Sequence, residues 1–448
     1  MNGRRVVITG LGPVTPLGIG VAAFWNALLE RRSAVRKLQA FNAARFSSQI
    51  GSEIDGLALG DYVPKAYRKA GKIMARDIVL AVAAAHQAVA DAGLRTRCLI
   101  DRGEAAGEPN LDLARCGANI GAGLICADLP ELAEVLHGAS VNGQFDFARW
   151  GAEGMNNLTP LWLLKFLPNM LACHVTIVHD ARGPSNTITC GEASSHLGIG
   201  EGFRAIQRDA ADVCICGGAE SKDNPMALLR QQLGDRLSRR NDAPEQACRP
   251  FAADRDGTVV SEGGGLVILE ELEHARRRGA RIYAELIGFG AAHDAWAPQQ
   301  PSPPHPEGRG CAVAMRKALE DAGIKPAQVG LIGSCACGLL EHDRSEAAAY
   351  RQVCGRDGRA PEAPVLNIRA GLGNNGAGSG AIDFLATVLA LHHGRIPPAF
   401  NSAPVDPACG LNVVNSGPAE CCADYAVSVA YALGGGQNAA LVIRRWTD

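Results

Sequence analysis

The sequence predicts an α/β fold built from two comparable halves, and three observations carry that prediction. Short β-branched runs alternate with longer stretches whose apolar residues recur at three- and four-residue spacing. The short runs read as strands at residues 5–9, 117–121, 212–216 and 265–270, and again at 283–288, 329–333, 426–430 and 440–444, which makes two sets. Glycine, proline and aspartate punctuate the segments between them.

The helical stretches are 75–92, 160–178, 193–208, 311–322, 343–353 and 381–394. In the third, Leu197, Ile199, Phe203 and Ile206 can share one face while Glu201, Arg204 and Arg208 point elsewhere. Residues 288–310 hold the densest run of proline and glycine and are expected to form a long surface loop. Just before it, at residue 275, the pattern divides the chain into 1–275 and 276–448. The polar stretch 95–115 is expected to be an exposed excursion.

A chain of 448 residues, 47% of them hydrophobic, exceeds what one core usually reaches, which agrees with two coupled halves. A formal charge of -2 and no block of like charge give no reason to expect nucleic acid or a membrane surface as partner. No apolar run reaches the ~18 residues of a membrane span, and the apolar start is too short for a signal peptide, so a cytoplasmic protein is expected. The 15 cysteines are scattered through apolar segments and read as reduced core thiols. Cys214 with Cys216 and Cys335 with Cys337 lack a matching histidine or cysteine cluster, so no metal is expected.

Glycine-rich turns follow strands at 121–123, 217–220, 371–376 and 434–438. A phosphate-binding reading fails on detail, because neither the Walker lysine nor a strand-GxGxxG-helix unit is present. No cofactor is expected.

Taken in order, other segments carry more information. They are Val6-Val7-Ile8-Thr9-Gly10-Leu11-Gly12 with Thr15-Pro16-Leu17-Gly18, Arg182-Gly183-Pro184-Ser185, Gly217-Gly218-Ala219-Glu220, Arg249-Pro250-Phe251 with Asp254-Arg255-Asp256-Gly257, and Glu262-Gly263-Gly264-Gly265. This set resembles the β-ketoacyl-ACP synthases over nearly the whole chain. The resemblance implies a thiolase fold, five layers ordered α/β/α/β/α in two duplicated halves, and a dimer. It also implies a site in which a cysteine at a strand-to-helix turn takes the acyl group, its thiolate favoured by the helix N-terminus. Two histidines then promote decarboxylation and hold the thioester oxygen.

Carried over residue by residue, none of the three is kept. Counting from Gly183-Pro184-Ser185 to Gly217-Gly218-Ala219-Glu220 places the nucleophile position on Glu192. A two-residue slip with compensating gaps would place it on Cys190 instead. Asp343 and Glu346 match the end of the first histidine's motif, and counting back puts Cys335 where that histidine belongs. The second histidine's place, after Gly373, is taken by Asn374, with Arg369 at the usual upstream lysine and Asp383 at the downstream acid. The gating phenylalanine falls on Gly434. No residue is therefore expected to be catalytic in the family's sense.

Glu192 has two readings: a carboxylate that fills the emptied site at the helix N-terminus, or an acid or base with its pKa raised by burial. His196, one helical turn on, would pair with it locally. His174 and His342 read as structural or surface residues.

Within the resemblance, synthase paralogues without the triad are chain-length factors. They pair with an active Cys-His-His ketosynthase and shape the tunnel for a chain carried on the phosphopantetheine of an acyl carrier protein. That is the function expected here, with tunnel-shaping residues in 123–136 and 162–170. Chain-length factors usually carry glutamine at the nucleophile position, so Glu192 is a departure. The competing expectations are a repurposed acyltransferase, hydrolase or malonyl-ACP decarboxylase using Glu192, Cys190 or Cys335, and a homodimeric acyl-ACP binding protein.

Overall fold

The computed structural model describes residues 3–294, 303–356 and 359–447. Its frame is a pair of five-stranded sheets. The first uses β1 (Val6–Thr15), β2 (Cys116–Ala122), β3 (Ser185–Ile188), β4 (Val213–Ser221) and β5 (Val260–Glu271). The second uses β6 (Ala284–Asp294), β7 (Val329–Gly333), β8 (Val365–Leu366), β9 (Tyr425–Tyr431) and β10 (Gly436–Arg445).

The two sheets repeat one topology. The first runs β3-β2-β4-β5-β1 and the second β8-β7-β9-β10-β6. In each, the first three strands are parallel and the last three antiparallel. They meet edge to edge, with Val6 opposite Leu286 and Ile8 opposite Ala284. All eight strands expected from the sequence are present. The two that were missed, β3 and β8, are equivalent edge strands too short to show a period of two.

Helices complete five layers. On the outer face of the first sheet lie α1 (Arg76–Asp91) and α2 (Met170–His179). Between the sheets lie α3 (Ser194–Gln207), against β2, β4, β6 and β10, and α6 (Ser379–His393), against β5, β7, β9 and α3. The far side carries α4 (Arg309–Ala322) and α5 (Leu340–Cys354). The three largest apolar cores among the described residues follow: a central one with Phe203, Ile199, Phe384 and Leu389, and one under each outer layer.

The structure corrects the sequence reading in three places. Residues 288–294 continue β6 instead of opening a surface loop, while 295–302 lie outside the described residues. Gly288 and Gly290 are there because helix α4 sits so close that a Cβ would come 2.2 Å from the Ala318 carbonyl oxygen and 2.1 Å from that of Ala314. Gly10 and Gly12 in β1 meet Ala88 and Ala84 of α1 in the same way, at 2.3 and 2.1 Å, so the pair marks the duplication.

The expected helix 160–178 begins only at Met170, because Pro168 cannot donate and holds Leu167 extended. Residues 95–115 are no simple excursion either: Arg97–Asp101 is a short helix, and Cys98, Leu99, Leu111 and Leu113 are buried in the core.

Candidate functional site

Glu192 stands where the strand-to-helix turn delivers β3 into α3. Gly191, with a φ of 55°, takes the left-handed conformation that lets the chain reverse there. The carboxylate follows immediately, beside the start of α3, where partial positive charge favours an anion. Its surroundings are fully specified. Lys222 donates from Nζ to Oε1 at 2.9 Å, and Asn374 donates from Nδ2 to the same oxygen at 3.1 Å. The Leu433 backbone N–H donates to Oε2 at 3.0 Å.

Burial alone would raise the Glu192 pKa, but the Lys222 charge and these three hydrogen bonds outweigh it and hold the carboxyl well below the usual range. The raised pKa on which the acid or base reading rested is absent; the shift runs the other way, toward the carboxylate. Lys222 is buried as well, and burial would lower its pKa, but Glu192 and then Glu220 keep it charged. Glu220 in turn accepts from the Ala377 N–H at 2.7 Å.

Asn374 has no rotational choice. Arg369, the Gly376 N–H and the Ser379 hydroxyl all donate to its Oδ1, at 3.3, 3.0 and 3.0 Å, so its amide nitrogen faces Glu192. Arg369 is itself held by Asp383, Nε to Oδ1 at 2.9 Å. Burial pushes the Asp383 carboxyl up to about 6 even though Arg369 pulls the other way.

The structure thus brings Glu192 and Asn374 together, but it turns Cys335 elsewhere. The Cys335 N–H donates to Glu346 Oε1 at 3.1 Å and its thiol points at Oε2, 3.8 Å away. Glu346 also takes a short hydrogen bond from Tyr350. Burial and then the Glu346 charge push the Cys335 thiol far above its ordinary pKa, which disfavours a thiolate. Asp343 holds the neighbouring backbone, accepting from the Phe251 N–H at 2.9 Å and the Cys337 N–H at 3.3 Å, and faces Arg255 at 3.3 Å. Burial raises it to about 7, against the pull of Arg255.

Other expectations fare differently. Gly434 is exposed and stands beside the Arg236 guanidinium, whereas Leu433, one residue earlier, is buried and gives its backbone N–H to Glu192. His196 does not pair with Glu192: its Nε2 meets Ser428 Oγ at 2.9 Å, and burial, then Arg369, lower it to about 3. His174 meets the Tyr67 hydroxyl at 2.7 Å. His342 is half-buried and contacts the Leu433 carbonyl. Cys190 is half-buried, and burial raises its thiol.

Lys222 was not foreseen. One signal was available: it is the sole lysine between Lys165 and Lys317 in a chain that otherwise uses arginine there, and it directly follows an apolar strand.

The segments 123–136 and 162–170 are tied together by Glu131, which accepts from Trp162 Nε1 at 2.9 Å and pairs with Lys165 at 2.6 Å. Around them Leu124, Phe147 and Leu163 are 65%, 83% and 62% exposed.

A two-half thiolase fold with a polar site at the N-terminus of its first central helix defines a ketosynthase-type protein. The Beta-ketoacyl synthase N-terminal domain matches residues 3–275 and the C-terminal domain residues 283–403. The chain belongs to the β-ketoacyl synthase family. It is 32% identical to 3-oxoacyl-[acyl-carrier-protein] synthase 2 of Synechocystis sp., over 99% of this chain and 98% of the relative. It is 33% identical to the tetracenomycin polyketide synthase ketoacyl synthase alpha subunit of Streptomyces glaucescens, over 98% and 97%. Among solved structures, the ishigamide ketosynthase/chain length factor matches with a TM-score of 0.82 and 28% identity, over 99% of this chain and 100% of that one. The function is accordingly of ketosynthase type, in fatty acid or polyketide synthesis. Among the described residues, no helix is long and apolar enough to cross a membrane.

Proposed function

We propose that this chain is a non-condensing subunit of the chain-length-factor kind, which pairs with an active Cys-His-His ketosynthase and shapes the tunnel for a chain carried by an acyl carrier protein. The observation that carries the reading is the Glu192 carboxylate at the nucleophile position, fixed by Lys222, Asn374 and the Leu433 N–H. A carboxylate cannot form the thioester that condensation needs. The donors that would serve a reacting oxygen are spent on a side chain. The same contacts staple the halves, since Glu192 and Lys222 belong to the first and Asn374 and Leu433 to the second.

Leu124 and Leu163, in the segments 123–136 and 162–170, and Phe147 between them in the chain are exposed large apolar side chains, which supports a partner subunit covering these segments. The ketosynthase/chain length factor among the similar structures supports the same assignment.

The test is reconstitution. The chain purified alone is expected to make no β-ketoacyl product from malonyl-ACP and acyl-ACP. Coexpressed with a Cys-His-His ketosynthase it is expected to copurify as a one-to-one complex that elongates. Condensation by the isolated chain, or radiolabelled acyl groups mapping to Cys190 or Cys335, would refute the proposal in favour of a repurposed enzyme. A stable homodimer that binds acyl-ACP and ignores the ketosynthase would refute it in favour of a binding protein.

A further inference from the structure

The residues that end β4 face two ways. Glu220 and Lys222 turn toward Glu192, while Ser221 and Asp223 turn to the other side, where they line a separate cavity of about 750 Å³. That size lies in the range of small-molecule sites. The cavity has apolar walls from Ile54, Met74 and Phe166, and an acidic end where Asp77, Asp223 and Glu262 converge.

The hydrogen bonds at that end are unevenly shared. Arg76, the cation at the wall, gives its guanidinium to Glu262 at 2.7 and 2.8 Å and to the Ile54 carbonyl at 2.8 Å. Lys165 is bound to Glu131, and Arg36 pairs with Asp55 at 2.6 and 2.8 Å and lies 3.4 Å from Glu53. Asp77 accepts from the Ser221 N–H at 3.1 Å. Asp223 is buried, lines the cavity, and has a partner on neither carboxylate oxygen. A buried carboxyl without a donor is costly, and the two cations that line the cavity, Arg76 and Lys165, are committed to Glu262 and Glu131. What the cavity lacks is a positively charged donor.

We propose that this cavity binds an alkylammonium or guanidinium group on an apolar stem, with Asp223 as its acceptor and the Ile54, Met74 and Phe166 walls around the stem. The group can come from a free amine or from a lysine or arginine side chain of a second subunit.

Calorimetric titration of the full chain with hexylammonium, against hexanol of equal length, tests the proposal without a variant. Saturable hexylammonium binding roughly tenfold or more tighter than hexanol is expected, since hydrogen bonds to charged groups are worth that much. Asp223→Asn, which keeps the shape, is expected to weaken hexylammonium by the same factor and to leave hexanol unchanged. Equal binding of the two probes, no saturable binding of hexylammonium, or full affinity in a folded Asp223→Asn chain overturns it. Repeating the titration on the complex with a ketosynthase separates the sources: retained binding assigns the site to a free amine, and lost binding assigns it to a basic side chain of the second subunit.

Discussion

Lys222 and Asp223 are consecutive and both buried, yet the regions they face have opposite electrostatics. On the Lys222 side every charge is answered: Glu192 has three donors, and Lys222 lies beside Glu192 and Glu220. On the Asp223 side an acid is left without a donor beside open space. The difference teaches that two consecutive buried side chains can meet opposite surroundings: the Glu192 position is filled by a closed ion-pair cluster, while on the other side of the same segment Asp223 is left without a donor.

The largest expected effect comes from cutting the staple. Lys222→Met leaves the Glu192 carboxylate buried without its counter-charge, which costs about 3–5 kcal/mol for a broken buried pair. Urea unfolding at neutral pH measures it. Adding Glu192→Gln to the same chain is expected to recover part of the loss, because the uncompensated charge goes while the amide can accept from only one of Asn374 and the Leu433 N–H. A Lys222→Met cost under about 1 kcal/mol, the range of surface pairs, would show that the staple carries no load.

Glu192→Gln alone is the next step down, at about 2 kcal/mol at pH 7, since the Lys222 ammonium then keeps only Glu220 nearby. Its pH dependence has a definite sign. The folded Glu192 pKa lies below its ordinary value of 4.5, so the unfolded chain binds the proton more tightly. The stabilisation is complete above about pH 4.5 and fades as the pH falls toward the folded value. Unfolding midpoints of the native chain and of Glu192→Gln should therefore converge below pH 4.5. A gap that persists unchanged to pH 3 would show that the pair, as an ion pair, does not stabilise the fold.

Much of this was legible in the sequence, for identifiable reasons. The eight longer strands showed as β-branched runs between glycine turns, and spacing singled out Glu192 and Asn374, which the structure brings within hydrogen-bond distance of each other. The missed parts are those that only three dimensions assemble. Strands β3 and β8 are too short for a period, and β6 ran on through glycines that resembled a loop until α4 was seen packed on them. The Glu192–His196 pair suggested by helical spacing gave way to Ser428, 232 residues away in the chain. Lys222 reaches Glu192 across 30 residues and Leu433 reaches it across 241, distances that no local pattern encodes.

The smallest effect is the most discriminating, because its sign differs. Asp223→Asn removes a buried carboxyl that has no donor, so it is expected to be neutral or to stabilise the chain by up to about 1 kcal/mol. Glu192→Gln, the same chemical change 31 positions earlier, destabilises it. Burial, and next the charges of Glu262 and Glu53, push the Asp223 carboxyl well above its ordinary range, the reverse of Glu192. A raised folded pKa makes the carboxyl cost stability as the pH rises above its ordinary range, so Asp223→Asn should flatten that loss and leave the acid limb set by Glu192 in place. Thermal unfolding of the two single variants side by side at pH 7 reads the contrast directly. Equal losses in both would mean that Asp223 is bonded in solution as firmly as Glu192, and the two sides of the segment would no longer differ.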